Sequence, residues 1–481
     1  MRRALHFLCL TVAAGLIAAA APTSAGQTVQ SSARRLAPEK FIPTYAIKYG
    51  SFNYGVRPTE ETANFDLLIV SRAAAAAQAW GREGKNSWHA LKALNPDMVI
   101  LMYVQGPTRY NTAKWSNLGA GWAWIEQNHG KGARDRWVEL GAIYGDYLMN
   151  PYYPNERAMI PGNPRWREWW RQAVYDDLWG GRKHIDVDGL DGLFCDTTSY
   201  HLREKWVRVG HPEQVDYPST YWADGKYQDE KFHRDLDAFW NETVPWLAAR
   251  GIIIAPNVCY MGSHPEYWHR LDGLPHPPWA AMEEGGFICP YGGQSFNTWN
   301  WRKVVDTIRS LKNVIVLVNN HGKLDTDAKG LARMDVAGPS KSHRDTMTGW
   351  DALWFAMTSF LMAFDDVRGN AIMNFTVWGY GEYHWFDEFD PRYIHLGRAR
   401  GDYFQAGRVF MREFDDGWAV VNPSQKSARG IKVPAGRARV INHSNFKHPE
   451  TAPLVTRFDL PAHRGVILLK EGRKLGNSDN T

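Results

Sequence analysis

Gly189-Leu190-Asp191-Gly192-Leu193-Phe194-Cys195-Asp196 is a short apolar run that stops at a carboxylate. It reads as a buried strand, and a buried strand has no reason of its own to end in Asp, because the charge must be solvated, paired or used. In barrel enzymes the exits of the strands line the active site, which makes Asp196 a candidate for chemistry. Asp is also a common helix N-cap, and Thr197-Thr198-Ser199 is a plausible helix start, so this segment alone leaves both roles open.

Working outward, seven further apolar runs resemble this one, and spacers with helical or loop-rich character separate them. The eight runs cover residues 42–47, 65–70, 98–104, 189–195, 251–255, 280–282, 314–318 and 371–375. Apolar residues repeating at three and four predict helices over 165–179, 229–249, 299–311 and 350–363. This alternation is expected of an α/β fold with a parallel sheet, and eight strand–helix units favour a (β/α)8 TIM barrel over an open doubly wound sheet. Long insertions follow the third, fourth and eighth runs, the first of them spanning 108–164. Loops of that length are usually functional where they sit at the active-site face.

Beyond residue 400 the pattern changes to period-two strands between turn residues, at 409–414, 418–421, 431–433, 438–441, 455–460 and 466–469. Asp415-Asp416-Gly417 supplies a hairpin turn between the first two. The expected organisation is therefore a barrel over 38–398, a small C-terminal antiparallel β-sandwich domain over 399–472 and a frayed tail over 473–481. At the other end, Arg2 and Arg3 precede an apolar run over 8–21, and Thr23-Ser24-Ala25 offers a signal peptidase site. Residues 1–25 read as a signal peptide, with a mature start near Gly26 and a secreted or periplasmic destination. No later stretch holds the roughly 18 unbroken apolar residues that a membrane span requires.

Formal net charge is +5 over 481 residues, with acids and bases interspersed, so electrostatics make no case for a nucleic-acid partner. The 23 Trp, 21 Tyr and 20 Phe point elsewhere: most serve the core, but flat aromatic faces are also what sugar rings stack on. Removal of the leader leaves Cys195, Cys259 and Cys289, in no pattern that would hold zinc or an iron–sulfur cluster. A Cys195–Cys259 bridge and two small buried thiols are both compatible with the spacing. Asp325-Thr326-Asp327-Ala328-Lys329-Gly330 lacks the third acid and terminal Glu of a calcium loop and reads as a solvated turn. Neither a metal nor a cofactor is expected.

If the runs are strands in that order, the residues at their carboxyl ends converge. Asp196 leaves the fourth strand and Glu283-Glu284 the sixth. Glycoside hydrolysis needs two carboxyl groups across the scissile bond, one protonated and one ionised. Asp196 is read as nucleophile or stabilising base and Glu284 as acid/base. Glu283 is the alternative, since side chains alternate and only one of the two glutamates can face inward. The fourth and sixth exits are expected on opposite sides of the mouth, with room for a sugar between them. Tyr45, Lys48, Arg72, Tyr103, Gln105, Asn257, Tyr260, Asn320, His321, Asn374 and Trp378 are the candidate substrate-binding residues, since amides and aromatics suit hydroxyls and rings. Asp186, Asp188 and Asp191 fall at the opposite end of the fourth run and are expected to cap or pair there.

Asp191-Gly192-Leu193-Phe194-Cys195-Asp196, Met282-Glu283-Glu284-Gly285, Val409-Phe410-Met411-Arg412-Glu413-Phe414 and Gly417-Trp418-Ala419-Val420-Val421-Asn422-Pro423, in that order, resemble the glycoside hydrolase-like barrel families, in particular hypothetical glycosyl hydrolase group fifteen. The resemblance runs from about residue 41 to 469. It implies a barrel with an appended sheet domain, acids at the fourth and sixth exits and a carbohydrate substrate, without naming the sugar. The expected function is a secreted glycoside hydrolase acting on a polysaccharide or oligosaccharide; the alternative is a non-catalytic carbohydrate-binding barrel. Metal-dependent hydrolysis is disfavoured because no His-x-His follows the first strand, and a lyase would be recognised by an unsaturated product.

Overall fold

The computed structural model describes residues 40–48, 59–71, 88–111, 145–149, 156–178, 189–201, 207–208, 221–223, 226–288, 298–321, 334–335, 347–376 and 384–476. The leader, Arg72, Asp186, Asp188, Cys289, the turn at 325–330, Trp378 and the last five residues lie outside them. Each of the eight apolar runs overlaps a strand: β1 (Tyr45–Lys48), β2 (Leu67–Val70), β3 (Val99–Gln105), β4 (Gly192–Asp196), β5 (Ile253–Pro256), β6 (Ala280–Glu283), β7 (Ile315–His321) and β8 (Ala371–Thr376). Between successive strands lie α1 (Thr59–Thr62), α2 (Trp88–Leu94), α3 (Pro164–Leu178), α4 (Asp229–Ala248), α5 (Pro265–Asp272), α6 (Thr298–Ser310) and α7 (Gly349–Ala363).

The protein is a mixed α/β chain with parallel sheets. Strands β1 to β5 pair in sequence order in one parallel sheet, and β6 to β8 in a second. Single parallel bridges join the edges, Asn257 to Met282 between the exit of β5 and β6, and Thr44 to Met373 between the approach to β1 and β8. Alternation along the strands creates two environments. Ala46, Leu68, Met102, Leu193, Ile254, Val316 and Met373 pack with Trp170, Trp240, Trp301 and Phe360 of the helices. The other face gathers Tyr45, Ile47, Leu67, Ile69, Val99, Leu101, Phe194, Ile253, Met282, Leu317 and Ile372 into a cluster to which all eight strands contribute and no helix does. Both faces are therefore dry, which explains why the runs are continuous rather than alternating.

The opening motif shows how tightly this is built. Gly189 turns into the strand at φ +93°, a conformation costly for a residue with a Cβ. Gly192 pairs with Ile253 of β5, and a Cβ there would lie against the Ile253 carbonyl and 2.6 Å from its Cγ1. At the amino ends of the strands, Asp191 accepts from Lys92 Nζ at 2.8 Å and from the Ile100 amide at 2.7 Å, the pairing role expected of it. Asp272 does similar service at the end of α5, accepting from the amides of Lys312, Asn313 and Val314. Strand β7 runs three residues past its apolar run, because Asn319, Asn320 and His321 continue the ladder opposite Asn374, Phe375 and Thr376.

Segments leaving β3 and β4 meet in a small antiparallel sheet, in the order Arg109–Asn111, Glu156–Met159, Gly145–Met149 and Val207–Arg208. The chain closes with a six-stranded antiparallel sheet and a two-stranded one, the latter made by Ala428–Lys432 and Arg457–Leu460. Met411, Trp418, Val420 and Leu468 of the larger sheet share a separate core with Ile431 and Phe458 of the smaller. Its other face packs on α7 through Phe410, Ala419, Val421 and Ile467. Buried Arg412 secures that contact by donating to the carbonyls of Leu361 and Phe364 at the end of α7, where helix carbonyls lack partners. The polar end expected to fray from residue 473 stays packed through Gly476: the Arg473 amide bonds Lys470, and Leu475 is buried in the main core.

Gly192→Ala is expected to force β4 and β5 apart, lowering stability by about 1–3 kcal/mol, the usual range for an overpacked core site. Urea unfolding should show a lower midpoint with an unchanged m-value. A wild-type midpoint would mean that the β4–β5 contact is looser than described.

Candidate active site

Continuing the alternation of the strand-only cluster past the last apolar layer places Tyr103 and Gln105 of β3, Asp196 of β4, Asn257 beyond β5, Glu284 beyond β6, Asn319 and His321 of β7, and Asn374 and Thr376 of β8 on the same face. A polar layer thus caps an apolar one, at the carboxyl ends of the strands.

Asp196 accepts hydrogen bonds from three donors. Its Oδ2 accepts from the Tyr103 hydroxyl at 2.6 Å, and its Oδ1 accepts from the Thr197 amide at 2.7 Å and from Asn257 Nδ2 at 2.9 Å. The same Asn257 nitrogen donates to Glu284 Oε2 at 3.0 Å. Two oxygens held by one nitrogen at these distances are no more than about 6 Å apart. The acids therefore do not stand on opposite sides of the mouth: β5 alone separates their strands, and Asn257 at its exit spans the gap.

The adjacent glutamates part company as alternation requires. Glu284 is half-buried on the Asn257 side. Glu283 is 4% exposed, and its carboxylate accepts from the amides of Met261 at 2.7 Å and Gly285 at 3.1 Å, so it fastens the turns after β5 and β6. Lys48 and Asn320 likewise share the parity of the helix-facing residues. Both are buried, and Asn320 accepts from the Phe287 amide and donates to the Asn374 carbonyl.

On the β7–β8 side Asn374 Nδ2 donates to Asn319 Oδ1 at 3.0 Å, and Asn319 Nδ2 lies 2.9 Å from His321 Nε2. Because that amide nitrogen can only donate, Nε2 accepts; the proton then sits on Nδ1, 3.2 Å from Thr376 Oγ1. His321 is a neutral ring with both nitrogens engaged. Tyr45 belongs to the strand-only cluster, fully buried, and its hydroxyl has no hydrogen-bond partner among the described residues. Burial, and after it Glu284, Glu283 and Cys259, push this phenol well above its ordinary pKa, so it stays neutral. Half-buried Tyr260 lies 4.9 Å from the His201 ring, beside the exits of β4 and β5.

Backbone strain concentrates at those exits. Three of the four non-glycine residues with positive φ among the described residues are Thr197 at 56°, Cys259 at 59° and Tyr260 at 60°. Such conformations cost of order 1–3 kcal/mol each and persist where the surroundings over-determine them, often at functional sites. Cys195 and Cys259 are buried thiols, not joined in a disulfide. Cys195 faces the helices, whereas Cys259 Sγ lies 3.0 Å from Asn257 Oδ1 and 3.5 Å from Glu284 Oε2. Sequence reasoning passes over Thr376 and treats Cys259 only as a thiol; counting alternate positions along β8 from Ile372 would have found the threonine.

No group of three or more His, Cys, Asp or Glu among the described residues is arranged to hold a metal ion, and no described helix is long and apolar enough to cross a membrane. No curated protein matches the sequence. Solved structures with overlapping shape include a GH31 dextranase from Flavobacterium johnsoniae complexed with isomaltotriose (9% identity, 91% of this chain and 52% of that one, TM-score 0.37). A GH36 α-galactosidase from Geobacillus stearothermophilus is another (8%, 92% and 58%, TM-score 0.40). A trehalulose synthase from Pseudomonas mesoacidophila is a third (11%, 90% and 98%, TM-score 0.41). The chain spans about half the length of the dextranase. The model of hypothetical glycosyl hydrolase family 15 matches residues 92–418, a stretch that contains Asp196, Asn257 and Glu284, and the chain belongs to that family.

Proposed function

We propose that the protein is a secreted, retaining glycoside hydrolase that cleaves a polysaccharide or oligosaccharide, with Asp196 as nucleophile and Glu284 as acid/base. The observation that carries this reading is the Asn257 amide, whose one nitrogen touches both carboxyl groups. Carboxyl pairs about 5–5.5 Å apart serve double displacement, whereas separations of about 6.5–9.5 Å leave room for the water of an inverting reaction. A shared nitrogen favours the shorter range. The framework in this reading is a closed (β/α)8 barrel followed by a small β-sandwich. The two edge bridges and the cluster drawn from all eight strands support the barrel, and the core between the two closing sheets supports the sandwich. Export rests on Arg2-Arg3, the apolar run over 8–21 and the small residues at 23–25.

The chemistry follows from the hydrogen bonds. Ionised Asp196, hydrogen-bonded by three donors, attacks the anomeric carbon while protonated Glu284 gives its proton to the departing glycosidic oxygen. A glycosyl ester on Asp196 results, and Glu284 is left ionised. Glu284 then takes a proton from water as that water attacks the same carbon; the C–O bond to Asp196 breaks, and the configuration of the substrate is restored. Asn257 donates to both groups throughout, which steadies negative charge wherever it resides during the cycle.

Asp196→Asn and Glu284→Gln should each lower the release of reducing ends by at least about 100-fold while leaving the fold intact. Full activity in either variant would remove that residue from the mechanism. NMR of the product first released should show the anomer of the substrate, and the opposite anomer would exclude Asp196 as nucleophile.

Glu283 should behave in the reverse sense. In Glu283→Gln one of the amides of Met261 and Gly285 faces an NH2 group instead of an oxygen, costing about 1–3 kcal/mol. Thermal unfolding should therefore show a lower Tm for Glu283→Gln but a Tm near wild type for Glu284→Gln, whose side-chain oxygen can still accept from Asn257. Equal losses of stability would contradict the division of labour between the two residues.

A further inference from the structure

We propose that Cys259 is a positioning residue for catalysis: its thiol donates to Asn257 Oδ1 and thereby fixes which way the Asn257 amide faces. The inference rests on the carboxyl-pair reading above. A primary amide is nearly symmetric in shape, and nothing in its outline prevents a half-turn that exchanges oxygen and nitrogen. Here the two orientations are opposite in effect. With Nδ2 toward the acids, both N–H bonds are used, one on Asp196 and one on Glu284. Turned over, the amide would present its oxygen to two carboxyl groups.

A donor on the oxygen side selects the productive orientation, and Cys259 Sγ stands there at 3.0 Å. The backbone of Cys259 is fastened on both sides: its amide bonds the Met282 carbonyl, and its own carbonyl accepts from Trp268 Nε1. Its φ of 59° belongs to the left-handed region that favours glycine, yet the chain places a thiol there. That thiol lies among polar groups, Asn257 at 3.0 Å and Glu284 at 3.5 Å, and is close enough to act on the phenol of Tyr45. Cys195, one strand away, shows the contrast of a thiol that merely fills space, buried among the apolar residues that face the helices.

The test compares Cys259→Gly, Cys259→Ala and Cys259→Ser with wild type. Glycine removes the donor and relieves the left-handed backbone, so Cys259→Gly should keep or raise Tm while kcat/KM falls about tenfold. Cys259→Ser, whose hydroxyl reaches less far but hydrogen-bonds at shorter range, should recover activity to within about threefold of wild type. The acidic limb of the kcat/KM profile should move up by about one pH unit in the glycine and alanine variants. Losing a donor to the charged form raises the pKa of a carboxyl, and a purely structural role would leave this limb in place. In an Asn257→Ala background, Cys259→Gly should have no further effect on kcat/KM, because the thiol then has no amide to orient. Additive losses in that cycle, or a full-activity Cys259→Gly enzyme with an unmoved acidic limb, would overturn the proposal. Asp196→Asn run in parallel keeps the two readings apart: its loss of activity upholds the carboxyl pair whatever Cys259 does, and an active Asp196→Asn enzyme removes the pair and the positioning role together.

Discussion

A strand that is dry on both faces leaves no choice about where successive side chains point. In β1 to β8 the odd and even positions serve two cores, one shared with the helices and one shared only among strands. A slip of one residue would exchange the two sets along a whole strand, so the register is held by every apolar residue in it. Burying each Leu, Ile or Val is worth about 1.5–3 kcal/mol, and a strand carries several. The polar residues at the exits inherit this register. Glu283 and Glu284 differ in role because Met282 has already decided which of them follows it across the strand-only face.

The register also creates an electrostatic difficulty that the exits of β4, β5 and β6 resolve. Two carboxylates with oxygens about 6 Å apart would repel by on the order of 3 kcal/mol if both were charged, at the effective dielectric of a partly solvated site. Donors around both groups offset this. Asp196 receives a phenol, a backbone amide and one N–H of Asn257, while Glu284 receives the other N–H and sits beside a thiol and a neutral phenol. The mechanism proposed above asks the two groups to differ, one ionised and one protonated, and different neighbours are how two acids come to differ.

Much of this was legible in the chain. The eight runs and the four long helices stand out because both cores demand unbroken apolar strands and three-four helical spacing, and the observed elements begin and end within a few residues of them. Asp196, Glu284, Tyr103 and Asn257 were legible because polarity at the end of such a run has few uses. The distance between the acids was not, since strand order says nothing about how far a side chain reaches across the strand between. Nor was the direction of Lys48 and Asn320: each adjoins a residue of equal polarity or sits one step past the apolar pattern, so parity has to be counted from the core rather than read from the residue. Residues 473–476 look like solvent-exposed chain, and only the seat of Leu475 in the main core shows otherwise.

One buried phenol fits the same economy of charge. Tyr45 belongs to the strand-only core near Glu284, fully buried, with a hydroxyl that has no partner among the described residues. A phenylalanine would pack there without an orphaned polar group, whose burial costs about 1–3 kcal/mol. What distinguishes the phenol is that its burial, and the acids and thiol near it, keep it neutral. It therefore has a proton to donate and no charge to add. In the mechanism proposed above Glu284 carries a proton in the first step, and a cation in place of this phenol would hold it ionised. A neutral phenol near Glu284 adds no charge of its own, so in the proposed reading the Asn257 amide, and the thiol that orients it, decide where the charge resides.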